Sequence, residues 1–428
     1  LGGSKEDNLF QISNLEEHLK EMKEVGANYI RCTMSSRDDG DVWPFAKTKE
    51  DLYDLNQFNL EYWNKFTRLM ELTYNMDIIV QMEIWDRFDF ARDPWQDNPF
   101  NPLNNINYSI EESLLAEVIE THPSENENRF FFTVPKADNN TLILDYQEKF
   151  VDKLLSITFN YPHILYCMDN ETCAMEEWGR YWALYIQKRA QEKGIKVHTT
   201  EMWDAWNLSD EQHNRTFDHP EIYSYCDISQ NNHQKGQQHW DNIQLTRERI
   251  KNQKRPLNCV KIYGSDENKF GTAKDAVERF WRNIFGKLAS ARFHRPQTGL
   301  GLSNTSKANI KSMRLILDEV DIFTSEPNNG LLKDRDENEA YCLVNTKKKE
   351  AAVFFCNNGN VKIDLSILGT VKFKVKWLDI RNVSWISENI TEIRSLKESN
   401  LDSEVVLELK LNTPLDEGEQ VVIIKAVN

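Results

Sequence analysis

Up to about residue 322 the sequence repeats one pattern: a short run rich in β-branched and aromatic residues, then a longer run with apolar residues at helical spacing. Strand candidates lie at 28–34, 77–85, 163–170, 196–203, 222–229, 256–263 and 290–295. Helical periodicity is carried by 15–25, 60–74, 146–159, 176–193, 239–252, 273–288 and 306–320. Strands that are each followed by a helix return to their sheet in parallel, so this alternation predicts an α/β fold closed as a (β/α)₈ TIM barrel over residues 1–328. The chain enters on a helix, so 28–34 counts as the second strand, and the first is expected at or before Leu1. The strand leading into Glu171 is then the fourth.

Beyond residue 329 the helical period gives way to β alternation at 340–344, 351–355, 361–365, 372–378, 405–411 and 420–426, with turn residues such as Asn357-Asn358-Gly359-Asn360 between runs. That predicts a small antiparallel β-sandwich over 329–428. The longest connection, 86–145, follows the third strand and contains Pro94, Trp95, Pro99, Phe100, Pro102, Asn104 and Asn105. Long connections at the carboxyl ends of barrel strands build substrate sites, so this one is expected to wall a cleft.

Charge narrows the class of partner. A formal net charge of -16 repels polyanions and leaves no basic tract for phosphates, so nucleic acid is not an expected partner. No run approaches the length of a membrane-spanning segment, and no membrane association is expected. The 7 cysteines are scattered, several inside apolar runs where a thiol behaves as a small hydrophobe. No cysteine–histidine grouping has metal-site spacing, and neither metal nor cofactor is expected. A periplasmic or secreted location is expected if a signal peptide has been trimmed, and a cytoplasmic one otherwise.

The strand ends carry the chemistry. The second ends Arg31-Cys32-Thr33-Met34-Ser35 and the third Glu83-Ile84-Trp85-Asp86. The fourth ends Asp169-Asn170-Glu171 and the fifth Glu201-Met202-Trp203-Asp204. Asn231 and His233 follow the sixth, Lys261 and Tyr263 close the seventh, and the eighth ends Arg292-Phe293-His294-Arg295. Carboxylates, amides and indoles at one end of a barrel suit a sugar. Indoles stack on its C–H faces, polar groups bind its hydroxyls, and glycosidic cleavage needs two carboxyl groups, one of which protonates the leaving oxygen. Glu171 is the candidate acid, with burial and a neighbouring carboxylate expected to hold its proton near neutral pH. Glu201 is its preferred partner, followed by Asp266 and Glu83. Asn170, Asp169, Glu83, Trp85, Trp203, Asp204, Asn231, His233, Lys261, Tyr263, Arg292 and His294 are the candidate carbohydrate contacts.

Asn170-Glu171 resembles the Asn-Glu pair of clan A glycoside hydrolases. That resemblance implies Glu as acid/base and Asn on the sugar 2-hydroxyl. The layout, with Ala340-Tyr341-Cys342-Leu343 and Lys376-Trp377-Leu378-Asp379 in the second region, resembles apiosidase-like barrels followed by a so-called collagen-binding β-sandwich domain. Polysaccharide degradation is what it implies. Clan A enzymes place their nucleophilic Glu at the end of the seventh strand, whereas Lys261-Ile262-Tyr263-Gly264 stands there, with Asp266 and Glu267 beyond.

Lys261, Arg292, His294 and Arg295 form a cationic group in an acidic chain, which suits a sulfated or uronic sugar from a plant or algal polysaccharide. Two alternatives stay open. One is a non-catalytic carbohydrate-binding barrel; the other is a polysaccharide lyase that removes a proton alpha to a uronate.

Overall fold

A computed structural model describes residues 8–265, 271–294, 301–393 and 407–427. The expected first strand, Asp266, Glu267 and Arg295 lie outside these residues. The helices follow the apolar periodicity closely. The seven longest are α1 (Leu15–Glu24), α2 (Leu60–Asn75), α3 (Thr141–Thr158), α4 (Glu176–Glu192), α5 (Gly236–Arg249), α6 (Ala273–Phe285) and α7 (Asn304–Glu319); shorter helices at Arg92–Asp97, Ile110–Ser113 and Glu211–Phe217 lie between them. Helix α1 buries Leu15, Leu19 and Met22, a single stripe at i, i+4 and i+7. Side-chain caps fix the starts: Asn59 accepts from the Glu61 N–H, Asn140 from the Ile143 N–H, and Thr272 with Asp275 forms a capping box.

The chain divides into two compact units. Leu1–Asn231, Arg249–Val260 and His294–Gly301 form the first; Asn232–Glu248, Lys261–Phe293 and Leu302–Asn428 form the second. In the first unit β1 (Tyr29–Thr33) pairs in parallel with β2 (Ile79–Asp86), β2 with β3 (Ile164–Asn170), and β3 with β4 (Thr199–Thr200). A further parallel pair joins β5 (Cys226–Asp227) to β6 (Leu257–Ile262) through Cys226↔Leu257 and Asp227↔Asn258.

The predicted strands 196–203 and 222–229 shrink to the two-residue β4 and β5, and among the described residues the strands do not pair into a continuous ring. What is established is an α/β fold on parallel strands. The physical reason is that side chains take backbone donors from the ladder. The Glu201 carboxyl accepts from the N–H groups of Asp169 and Met202, Thr200 Oγ1 from Asp227 N–H, and Ser224 Oγ from Thr199 N–H. A main-chain bond, Ser224 N–H to Thr199 O at 3.0 Å, ties the segment ahead of β5 to β4.

Buried polar side chains join the two parallel groups. Gln81 on β2 donates to Asp227 on β5 (3.0 Å) and accepts from Tyr29 Oη on β1 (2.7 Å). Asn258 on β6 donates to Tyr29 Oη (3.0 Å) and to Gln81 (3.3 Å). These residues come from four different strands, and Gln81, Asp227 and Asn258 are buried. Cys167, Met202 and Val260 pack as a small apolar layer of the same unit.

In the second unit β7 (Ser290–Phe293) precedes two antiparallel sheets. The larger runs Glu326–Pro327, β8 (Ala340–Asn345), β9 (Glu350–Phe355), β14 (Gln420–Ala426), β11 (Lys372–Asp379), β12 (Ser384–Glu392). The smaller holds Leu332–Lys333, β10 (Asn360–Asp364) and β13 (Glu408–Asn412). Alternation assigns the faces: Ala340, Cys342 and Val344 join Val361, Ile363 and Leu411 in the core shared by the sheets. Tyr341 and Phe354 turn the other way, onto Trp240 of α5 and Trp281 of α6, with ring centroids 4.5 and 5.7 Å apart.

Replacing Gln81 by Leu keeps the volume but leaves Asp227 and Asn258 each short of a hydrogen-bond partner in the interior. The variant is expected to lose about 2–4 kcal/mol of stability by urea unfolding, with an unchanged m-value. A loss near zero would show that the polar centre is not what ties the strands together.

Candidate active site

Glu171 is the first residue after β3, half-buried, with φ 51°. A non-glycine residue in the left-handed region carries a conformational cost that surrounding contacts must hold in place. Those contacts are specific. Asn170 donates from Nδ2 to Asp86 Oδ1 (3.1 Å), Thr172 N–H donates to Met202 O (2.8 Å), and Asp204 N–H donates to Thr172 O (3.0 Å). Gln230 Nε2 donates to Glu171 Oε1 at 3.1 Å. The turn therefore lifts the Glu171 carboxyl off the sheet at the carboxyl end of β3, pinned on both flanks.

Asp86, the last residue of β2, is a junction. Its Oδ1 also accepts from Phe88 N–H (3.2 Å), and its Oδ2 from Arg37 Nη2 (2.9 Å). The same guanidinium donates to Asp89, which also accepts from Ser35 Oγ (2.8 Å) and Ser36 N–H (3.1 Å). Burial raises Asp89 to about 6, with Arg37 opposing the rise and Asp86 adding to it. Nearby, burial and the charge of Asp38 raise Asp41 to about 7. Arg37, Asp86, Asp89 and Gln230 were not among the sequence candidates. Their signal was their position, in the few residues that follow a strand end, but nothing in that position says which of them face one another.

The remaining predicted residues divide. Trp85 is a core residue: its ring lies 5.2 Å from Phe150, 5.3 Å from Trp182 and 5.4 Å from Phe130, within an aromatic layer under α3 and α4. Trp203 is equally enclosed, its indole N–H donating to Thr216 Oγ1 at 2.8 Å. Neither indole offers a face to a sugar, and Trp95 is also fully buried. Trp206 is exposed and Trp43 half-buried. Glu83 lies deep in the interior, 0 % exposed, with both oxygens on Arg31 Nε at 2.6 and 2.5 Å.

Glu201 is corrected most clearly. It is 0 % exposed, and a methyl group built onto Gly179 of α4 would collide with its Oε2. The carboxyl therefore faces the helix layer and not a cleft. Asp169 is buried beside it, 3.8 Å from Arg87. Asp204 is half-buried with Cys173 Sγ 3.4 Å from its Oδ2, and Asn231 and His294 are buried in the first unit. Lys261 and Arg292 are buried in the second unit, and His233 and Tyr263 are half-buried there, with Tyr263 N–H on Asn232.

No family model matches this sequence, and no curated protein matches it. Solved structures do resemble its fold. One is a family 5 glycoside hydrolase from Bacteroides vulgatus, with 11% identity, TM-score 0.58, and coverage of 96% of this chain and 85% of that one. An endo-β-1,4-mannanase from Thermotoga petrophila gives 12%, 0.51, 96% and 91%. A structure named simply as a glycoside hydrolase gives 10%, 0.58, 96% and 88%. At these identities the likeness establishes the fold, and its coverage takes in both the parallel and the antiparallel regions.

Arg37 bridges Asp86 and Asp89, and this should be visible in stability. Asp89 is raised above its unfolded value near 3.9, so its contribution is full below that value and lost as pH rises through about 6. Arg37→Met removes the cation that offsets the second negative charge. Its melting-temperature deficit against wild type is expected to be larger at pH 8 than at pH 5; an equal deficit at both would remove the charge coupling.

Proposed function

We propose that this protein is a glycoside hydrolase in which Glu171 is the general acid that protonates the leaving glycosidic oxygen. The observation that carries this reading is Glu171 itself: a carboxyl presented at the end of a parallel strand in left-handed backbone, beside an asparagine fixed to Asp86, in a fold shared with glycoside hydrolases. Proton donation to an alkoxide leaving group requires that kind of placement, half-open to a ligand and rigid in the backbone.

With Glu201 enclosed against α4, Asp86 is the first candidate for the second carboxyl. Arg37, Phe88 N–H and Asn170 all donate to its two oxygens, which fixes the orientation of the carboxyl beside the Asn170–Glu171 turn. Asn170 would bind a sugar hydroxyl next to it. We further propose that the strands close as a (β/α)₈ barrel, supported by the Tyr29–Gln81–Asp227–Asn258 bonds across the interior. The substrate class proposed is a plant or algal polysaccharide or oligosaccharide.

A second reading, a non-catalytic carbohydrate-binding protein, is favoured by β6, which ends in Lys261-Ile262 and Tyr263 where the clan A resemblance implies a nucleophilic Glu. One experiment separates the readings. Wild-type protein is assayed for reducing ends on a panel of neutral, uronic and sulfated polysaccharides, alongside Glu171→Gln. Turnover by the wild type and a fall of about 10²–10⁴ in kcat for the variant, with sugar binding kept, is the expected result. Binding by both without turnover would establish the second reading.

A further inference from the structure

Behind the Asn170–Glu171 turn lies a buried charge cluster that the proposed chemistry does not use. Glu201 Oε1 accepts from Asp169 N–H at 2.9 Å and from Met202 N–H at 3.0 Å. Asp169 lies 3.8 Å from the Arg87 guanidinium, which stacks over Phe131 at 4.0 Å. All three side chains are almost completely withdrawn from solvent. Helix α4 makes room for Glu201 by having no side chain at position 179, since a Cβ there would collide with Oε2. Two carboxyls facing one guanidinium in so dry a place is costly unless one of them keeps a proton. A hydrophobic residue at 201 would fill the space more cheaply but could not accept the two N–H groups.

We propose that Glu201, Asp169 and Arg87 form the positioning cluster for Glu171: Glu201 holds the peptide of Asp169, and with it the strand end whose next turn presents the reacting carboxyl, while Arg87 supplies the counter-charge. This rests on the reading of Glu171 as the acid. Glu201 is then a positioning residue and reacts with nothing. The electrostatics agree with the geometry. Burial raises Asp169 to about 7 against the opposing pull of Arg87, and burial together with Asp169 raises Glu201 well above the carboxylate range. Asp86 faces Asp169, Cys173 and Asp204 face Arg87, and Tyr223 and Cys167 face Glu201. Burial and the charge of Asp169 oppose ionisation of Glu201 more than Arg87 and the two N–H groups favour it, so Glu201 is the group that stays protonated.

The test compares Glu201→Gln and Glu201→Ala in the full chain by three readouts. Glutamine keeps an oxygen for both N–H groups and mimics the protonated acid; alanine keeps neither property. In hydrogen exchange, the amides of 169–172 are expected to exchange at wild-type rates in Glu201→Gln and at least about tenfold faster in Glu201→Ala. In turnover, Glu201→Gln should stay within about threefold of wild type in kcat, whereas Glu201→Ala should lose about tenfold or more in kcat with little change in KM. In melting, groups raised above their unfolded values contribute fully at low pH and lose that contribution as pH rises through their folded values. Glutamine at 201 has no such proton to lose, so the variant's melting temperature should gain on wild type between pH 5 and pH 9. Unchanged exchange in Glu201→Ala, or a Glu201→Gln variant as inactive as Glu171→Gln, would overturn the proposal. If wild type and Glu171→Gln turn over alike, the functional reading fails, while exchange and melting still decide whether the cluster holds the turn.

Discussion

The structure around the site depends on one constraint: the backbone leaving β3 has to enter the left-handed region at Glu171, which is not a glycine. Such a turn persists only if its neighbours hold it. The carboxyl of Glu201 takes the Asp169 N–H below the turn, Asp86 takes the Asn170 amide beside it, and the Thr172 peptide bonds to Met202 and Asp204 beyond it. Each of those contacts brings in a further element. Asp86 belongs to β2 and draws in Arg37 from the segment after β1; Glu201 follows β4 and requires Gly179 on α4. The placement of one carboxyl thus organises the carboxyl ends of four strands.

The same arrangement explains the short β4 and β5. Backbone N–H groups must be paired when buried, but a side chain can do this as well as a neighbouring strand. At Glu201, Thr200 and Ser224 the acceptor is a side chain, so the ladder is locally given up for contacts that point particular residues into the interior. The polar centre of Tyr29, Gln81, Asp227 and Asn258 gives the strands a second means of association, through their side chains.

Much of this was legible in the sequence where the signal is periodic. All seven predicted helices appear within a few residues of their expected places, because each has an apolar stripe and most have a capping residue. The strands β8, β9, β11 and β14 also follow their alternation. Strand β12 was missed because its residues are mostly exposed and polar, so there was no apolar face to detect. Side-chain direction at strand ends was the weakest inference. Trp85 and Trp203 read as sugar platforms because they end strands, yet each fell on the side facing the helices, since a one-residue change in where a strand begins to turn reverses its faces. Glu201 was misread for the same reason. The absence of a side chain at Gly179 marks where its carboxyl goes, and that pairing of positions cannot be seen along the chain. Glu171 differs in that the turn exposes it whichever way the strand faces.

At the centre stands the claim that the Glu171 carboxyl meets the glycosidic oxygen of a bound sugar. The most direct measurement is a crystal structure of the Glu171→Gln protein with an oligosaccharide that the wild type cleaves. The expected result places the side-chain amide introduced by that substitution within about 3 Å of a glycosidic oxygen, with Asn170 on an adjacent hydroxyl and Asp86 close to the anomeric carbon. An oligosaccharide bound away from β3, with the substituted side chain touching no glycosidic oxygen, would contradict it.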